Sequence, residues 1–122
     1  MSKVLVTSQG KNLDDELDPR FGRAAYFLVV DPDTMDFEIL DNNASKTMAQ
    51  GAGIQAAEQA AKSGAKTVLS GFVGPKAFMA LQAAGLQICQ KLEGLTVRQA
   101  VEKFKTGDVE YAGGPNKQGH WS

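Results

Sequence analysis

One cysteine and one histidine are all that 122 residues offer, and that scarcity removes whole classes of chemistry. Cys89 alone makes no intrachain disulfide. Iron–sulfur and structural zinc sites draw on several Cys or His ligands, so protein-only ligation of a metal is not expected. Nucleophilic catalysis is equally short of parts: no Gly-x-Ser-x-Gly elbow seats a serine, and carboxylates cluster only at Asp14-Asp15-Glu16. No run approaches the roughly 18 apolar residues of a membrane span. Met1-Ser2-Lys3 leads into a strand-like run rather than a signal peptide, which makes a cytoplasmic location the expectation. Neither charge sign dominates either. Thirteen Lys and Arg against fourteen Asp and Glu leave a net charge of −1, which argues against broad attraction to nucleic acid or to an anionic membrane. Any anion site must therefore be local.

What the chain does have is an ordinary globular composition, 43% hydrophobic and 22% charged, enough for one domain with one real core. Val4 to Thr7 reads as a buried strand and the polar Ser8 to Asp18 as a loop. Ala24 to Val30 and Phe37 to Leu40 flank the turn residues Asp31-Pro32-Asp33-Thr34 and form a hairpin. Asp41 to Gln50 reads as a loop, its Asn42-Asn43 pair resisting regular structure. A helix follows over Gly53 to Lys62, with Ile54, Ala57, Ala60 and Ala61 expected on its inner face and Ser63-Gly64 ending it. Ala65 to Leu69 is a strand. Pro75 then opens a helix that Gly85 stops, with Ala77, Phe78, Leu81 and Ala84 on one face. Leu86 to Cys89 is the last strand. Thr96 and Gln99 form a capping box for a helix to about Lys105 whose apolar side is Val97, Ala100, Val101 and Phe104. The order implies a mixed five-stranded sheet with helices on both faces, an α/β fold over residues 1–108. Residues 109–122, rich in glycine and polar groups, read as a flexible C-terminal tail.

Three stretches could carry chemistry. Ser70-Gly71-Phe72-Val73-Gly74-Pro75 joins a strand to a helix, and such a turn leaves backbone N–H groups unpaired and facing outward, a ready anion pocket. It is neither a Walker loop nor a dinucleotide turn. A tight crossover without a ligand would use Gly71 and Gly74 equally well. Gln50-Gly51-Ala52-Gly53 opens the preceding helix, so in a doubly wound sheet two helix starts would face one crevice. The bland reading of Gly51 and Gly53 is a flexible helix entry. Asp18-Pro19-Arg20-Phe21-Gly22-Arg23 sets two guanidinium groups around a Phe-Gly turn, and Arg suits multivalent anions through its preorganised donors. Surface pairing of Arg20 and Arg23 with Asp14, Asp15, Glu16 or Asp18 is the competing reading. His120, in the tail beside Trp121, is either a solvated side chain or a metal ligand delivered by a mobile arm. Cys89 and the scattered Met1, Met35, Met48 and Met79 read as packing residues. A first strand free of carboxylates disfavours two-metal phosphodiester hydrolysis on a ribonuclease H-like sheet.

Taken together, Arg20-Phe21-Gly22-Arg23-Ala24, Asp41-Asn42, Gly51-Ala52-Gly53-Ile54 and Gly71-Phe72-Val73-Gly74-Pro75 resemble the dinitrogenase iron-molybdenum cofactor biosynthesis family, the group of NifX, NafY and the C-terminal domain of NifB. The likeness runs from Val4 to about Phe104. It implies a three-layer α/β/α ribonuclease H-like fold that binds a preformed anionic metal–sulfur cluster non-covalently and catalyses no reaction. The cargo implied is a molybdenum–copper sulfide cluster or a related molybdenum–iron–sulfur cluster. An alternative is an interaction module that docks on a P-loop ATPase and carries no cluster. The residues agree with a carrier: a thiomolybdate-type anion spreads its charge over soft sulfur and is weakly hydrated. Backbone N–H groups, Arg20, Arg23 and an apolar wall of Phe21, Phe72 and Val73 would suit it.

Overall fold

Nearly continuous apolar runs in the central strands give the sheet two apolar faces, and each face acquires its own helices. The structure is a computed structural model and describes residues 1–46 and 50–112. Strands β1 (Val4–Ser8), β2 (Tyr26–Val30), β3 (Phe37–Asp41), β4 (Thr67–Leu69) and β5 (Gln87–Cys89) form one sheet in the order β3-β2-β1-β4-β5. The β1–β2 and β2–β3 pairs are antiparallel, with Leu5 opposite Val29 and Leu28 opposite Ile39. The β1–β4 and β4–β5 pairs are parallel. The sheet is therefore mixed, as the hairpin followed by two crossovers implied.

Side chains one residue apart point to opposite faces. Leu5, Phe27, Val29, Val68 and Ile88 meet α2 (Ala52–Lys62) and α3 (Pro75–Ala83) on one side. Val4, Val6, Leu28, Val30, Leu69 and Cys89 meet α4 (Val97–Lys105) on the other. Each fully buried Val or Leu contributes about 1.5–3 kcal/mol, so neither face could be left bare. The α4 capping box is present: Thr96 Oγ1 accepts from the Gln99 N–H at 3.1 Å, and Gln99 Oε1 accepts from the Thr96 N–H at 2.9 Å.

The structure corrects the sequence reading in four places. The stretch after β3 contains a single helical turn, α1 (Asn43–Lys46), because Asp41 Oδ1 accepts both the backbone N–H of Asn43 at 2.8 Å and its side-chain amide at 2.6 Å. The inner face of α2 is Ala52, Ala56, Ala57 and Ala60, while Ile54 is 41% exposed and Ala61 faces solvent. Small side chains turn inward there because α2 lies close against α3 and the Gly22 turn. Ala84 is likewise exposed beyond the end of α3. Finally, β2, β4 and β5 begin one or two residues later than expected.

Beyond α4 the chain continues along the sheet: Tyr111 bridges Cys89 in antiparallel sense and the Ala112 N–H donates to the Ile88 carbonyl at 2.7 Å. His120 and Met48 lie outside the described residues.

Strands β1, β3, β4 and β5 run in one direction. Both α2 and α3 follow strands of that set, so their N-termini come to the same end of the molecule.

Candidate functional site

Two loops and two helix starts converge at that end. The first loop leaves β1 and returns to β2 through Asp18–Ala24. Asp18 is buried, its Oδ1 accepts the Arg20 N–H at 3.0 Å, and its carbonyl accepts from the Thr7 hydroxyl at 2.7 Å. That pins the base of the turn to the end of β1 and leaves the Arg20 side chain in solvent. The second loop, Ser70 to Gly74, is held from below. The Ser70 N–H donates to the Cys89 carbonyl, the Lys91 N–H to the Gly71 carbonyl, and the Val73 N–H to Gln90 Oε1 at 2.9 Å.

The loops are stitched to each other. The Phe21 N–H donates to the Phe72 carbonyl at 3.0 Å and the Phe72 N–H to the Pro19 carbonyl at 2.6 Å. Phe21 itself is 1% exposed and stacks on Phe27 with ring centroids 5.4 Å apart. Phe72, by contrast, is 47% exposed.

The floor depends on glycine. A Cβ on Gly22 would come within 2.9 Å of the Gly53 Cα, and one on Gly53 within 3.1 Å of the Ala77 Cβ. Main chain thus lies on main chain where the Arg20–Arg23 turn crosses the start of α2, and α2 in turn lies on α3. Above this floor opens a cleft of about 440 Å³ lined by Arg20, Phe21, Gly22, Arg23, Gly53, Phe72, Gly74, Pro75, Lys76 and Ala77. Three of those side chains are basic, none is acidic, and none offers a hydroxyl, amide or thiol.

Both helix starts reach this cleft without a side-chain cap hydrogen bond at Gly51 or Gly74. Helix geometry leaves the first N–H groups of each helix without intrahelical partners, and the two macrodipoles add to the positive potential.

Seven of the nine glycine, phenylalanine and arginine positions singled out in the sequence therefore line one cavity. The other two do not. Gly51 is the N-cap of α2, at φ 79°, a left-handed conformation that suits glycine. Gly71 is buried behind the loop, where a Cβ would strike the Pro19 carbonyl at 2.7 Å and Glu93 Oε1 at 2.9 Å. Val73 is fully buried in the α2/α3 core and lines nothing.

The acidic stretch does not form the Asp14 ion pair with the cleft arginines: Asp14 pairs with Arg98 on α4 at 2.8 Å. The Arg98 guanidinium holds that carboxyl below its usual range.

Sequence reasoning missed Lys76 and Ala77 as lining residues, and marked Pro75 only as part of the turn motif. A signal for Lys76 was present: a cation at the second position of a helix opposes the macrodipole, and such a placement makes sense where an anion sits at the helix start. Cys89 faces the α4 core, fully buried, and burial pushes its thiol up to about 11. Among the described residues there is no group of three His, Cys, Asp or Glu able to hold a metal ion. No described helix is long and apolar enough to cross a membrane.

Comparison with known proteins adds three findings. A family model described as dinitrogenase iron-molybdenum cofactor matches residues 2–107. The apo form of the orange protein from Desulfovibrio gigas is 60% identical and superposes with a TM-score of 0.93, covering 96% of this chain and 98% of that one. An NMR structure of a Thermotoga protein described as a candidate NifB is 30% identical, with a TM-score of 0.82 over 98% of this chain and 100% of that one. No curated protein sequence matches.

Proposed function

The chain belongs to the dinitrogenase iron-molybdenum cofactor family, and on that premise we propose that it binds, carries or stores an anionic molybdenum-containing metal–sulfur cluster and catalyses no reaction. The observation that carries this reading is the composition of the cleft: Arg20, Arg23 and Lys76 over a glycine floor, with Phe72 and Pro75 as apolar walls. Such a lining provides positive charge and apolar surface but no protein atom that would displace sulfide from a metal; the Ser70, Phe72 and Val73 N–H groups, expected to face an anion, are instead paired within the fold. It fits a preassembled, sulfide-coated anion. A charge-assisted hydrogen bond contributes about 1.5–3 kcal/mol and each helix start about 0.3–1 kcal/mol more, so three or four such contacts retain a cluster without a covalent link. Sulfide's soft, weakly hydrated surface costs less to desolvate than the oxygens of phosphate and packs well on an exposed Phe72 ring.

A molybdenum–copper sulfide is the first choice of cargo, and a molybdenum–iron–sulfur cluster the second. Residues 1–108 constitute the binding domain in this reading. The strand order 3-2-1-4-5, with an antiparallel hairpin and two parallel crossovers, supports treating the fold as ribonuclease H-like. A P-loop ATPase partner, which the family resemblance implies, would find the exposed Phe72 at the cleft and the 67% exposed Met79 on α3 to dock on.

The test is direct. Metal-free protein mixed with tetrathiomolybdate and copper should hold a visible charge-transfer absorbance through desalting. A colourless protein fraction rejects this cargo, and a stable ATPase complex from such a colourless protein would favour the docking module instead.

A further inference from the structure

Asn42 closes β3 and belongs to one of the four sequence patterns that carry the family resemblance, yet it touches neither the cleft nor the solvent. Its side chain is fully buried. Nδ2 donates to the Ala24 carbonyl at 2.8 Å and lies 3.5 Å from the Gly22 carbonyl, while Oδ1 accepts from Gln59 Nε2 at 3.2 Å. The backbone N–H of Asn42 donates to the Ala25 carbonyl at 3.0 Å. The orientation of the amide is settled by its neighbours, because carbonyl oxygens only accept and must face the NH₂ end.

Three separate segments thus meet on one residue: the end of β3, the turn that carries Arg20 and Arg23, and α2 through Gln59. Gly22 and Gly53, the two residues whose main chains touch in the cleft floor, belong to two of those segments. Main chain on main chain has no side chains to lock its register, so something else must hold the turn against the helix. We propose that Asn42 is that positioning residue: it fixes the arginine-bearing turn on the start of α2, so that the basic wall of the cleft is preorganised before an anion arrives. Binding to a preformed site avoids the entropy of ordering the wall. Serine is too short to span the three segments, and aspartate would set a carboxylate against two carbonyl oxygens. The inference rests on the carrier reading for its purpose, although the clamp itself can be tested without any ligand.

The reporter is the Phe21 N–H, which joins the arginine turn to the Phe72 loop. In ligand-free Asn42→Ser, hydrogen exchange at Phe21 should quicken at least tenfold relative to exchange at Val68, a β4 amide that reports opening of the whole sheet. Gln59→Ala, which removes only the helix leg, should shift the same ratio in the same direction by a smaller factor. With tetrathiomolybdate and copper added, both variants should show less induced circular dichroism per bound cluster than the unmodified protein, because a loose wall no longer orients the chromophore. Phe21 exchange that rises only in step with Val68 in both variants overturns the clamp, since a merely structural role moves the two together. Should Asn42→Ser fail to fold, the exchange ratio in Gln59→Ala decides alone. If the unmodified protein retains no colour after desalting, the carrier reading fails, and the exchange ratio still decides the clamp.

Discussion

Three cations in the cleft stand on different supports. Arg20 and Arg23 flank a turn pinned by Asp18, and Lys76 sits in the first turn of α3. Replacing Arg20 and Arg23 together with Gln should weaken retention of a thiomolybdate–copper cluster at least tenfold, a loss of about 1.4 kcal/mol, checked by equilibrium dialysis. At the exposed Arg20 stability should change by no more than about 0.5 kcal/mol, as for ordinary surface substitutions. Lys76→Gln should act in the same direction. The glycines separate into two kinds under the same scrutiny. Gly22→Ala forces a Cβ to 2.9 Å from the Gly53 backbone and should cost about 1–3 kcal/mol in denaturant unfolding. Gly74→Ala meets only the Phe72 ring edge at 3.8 Å, at an ordinary φ of −69°, and should fold normally. Spacing in the sequence marks both glycines alike, because what distinguishes them is a neighbour thirty-one residues away in one case and open space in the other. Cys89 offers a pH test. The buried thiol holds its proton up to about 11, against an ordinary value of 9.0. The unfolded chain therefore loses this proton first, and between roughly pH 9 and 11 ionisation of the unfolded thiol drains stability. Below pH 9 the thiol adds no pH dependence. Alkylation of Cys89 at pH 8 should track global unfolding, and fast labelling of the native protein would contradict its placement.

Helices differ in how openly they declare their inner face. The apolar stripe of α4, with Val97, Ala100 and Val101 buried beneath a charged outer side, fits one periodic solution, and its capping box is written in Thr96 and Gln99. Thr96→Ala should remove about 1 kcal/mol of stability and leave cluster retention unchanged, because α4 packs on the sheet face away from α2 and α3. A parallel loss of binding would mean that the two faces are coupled. The Ala-rich α2 carries no such unique solution. Its one large apolar residue, Ile54, misleads because close approach to Gly22 and Ala77 selects the smallest side chains for the inner face. Likewise α1 escapes sequence inspection, since a single turn held by Asp41 and Asn43 has no periodicity to detect.

Across the whole molecule, a net charge of −1 surrounds a cleft lined by three cations and no acid, so attraction for an anion is local and short-ranged. Raising ionic strength from 0.1 M to 1 M shortens the screening length from about 10 Å to about 3 Å. Cluster dissociation should quicken severalfold over that range, while salt-independent dissociation would assign retention to the apolar walls instead. The amino-acid sequence by itself determined the strands, the order of every element but α1, the mixed sheet and the residue types suited to a soft anion, because apolar runs, periodicity, caps and turn chemistry act between near neighbours in the chain. Only the tertiary structure decided that residues 20–23, 53, 72 and 74–77 share one cleft, that Gly51, Gly71 and Val73 stand outside it, and that Asp14 turns to Arg98. Those outcomes depend on the direction in which β3 and β4 deliver α2 and α3, and on where two glycines let main chains touch, which are distances between segments that no local pattern records.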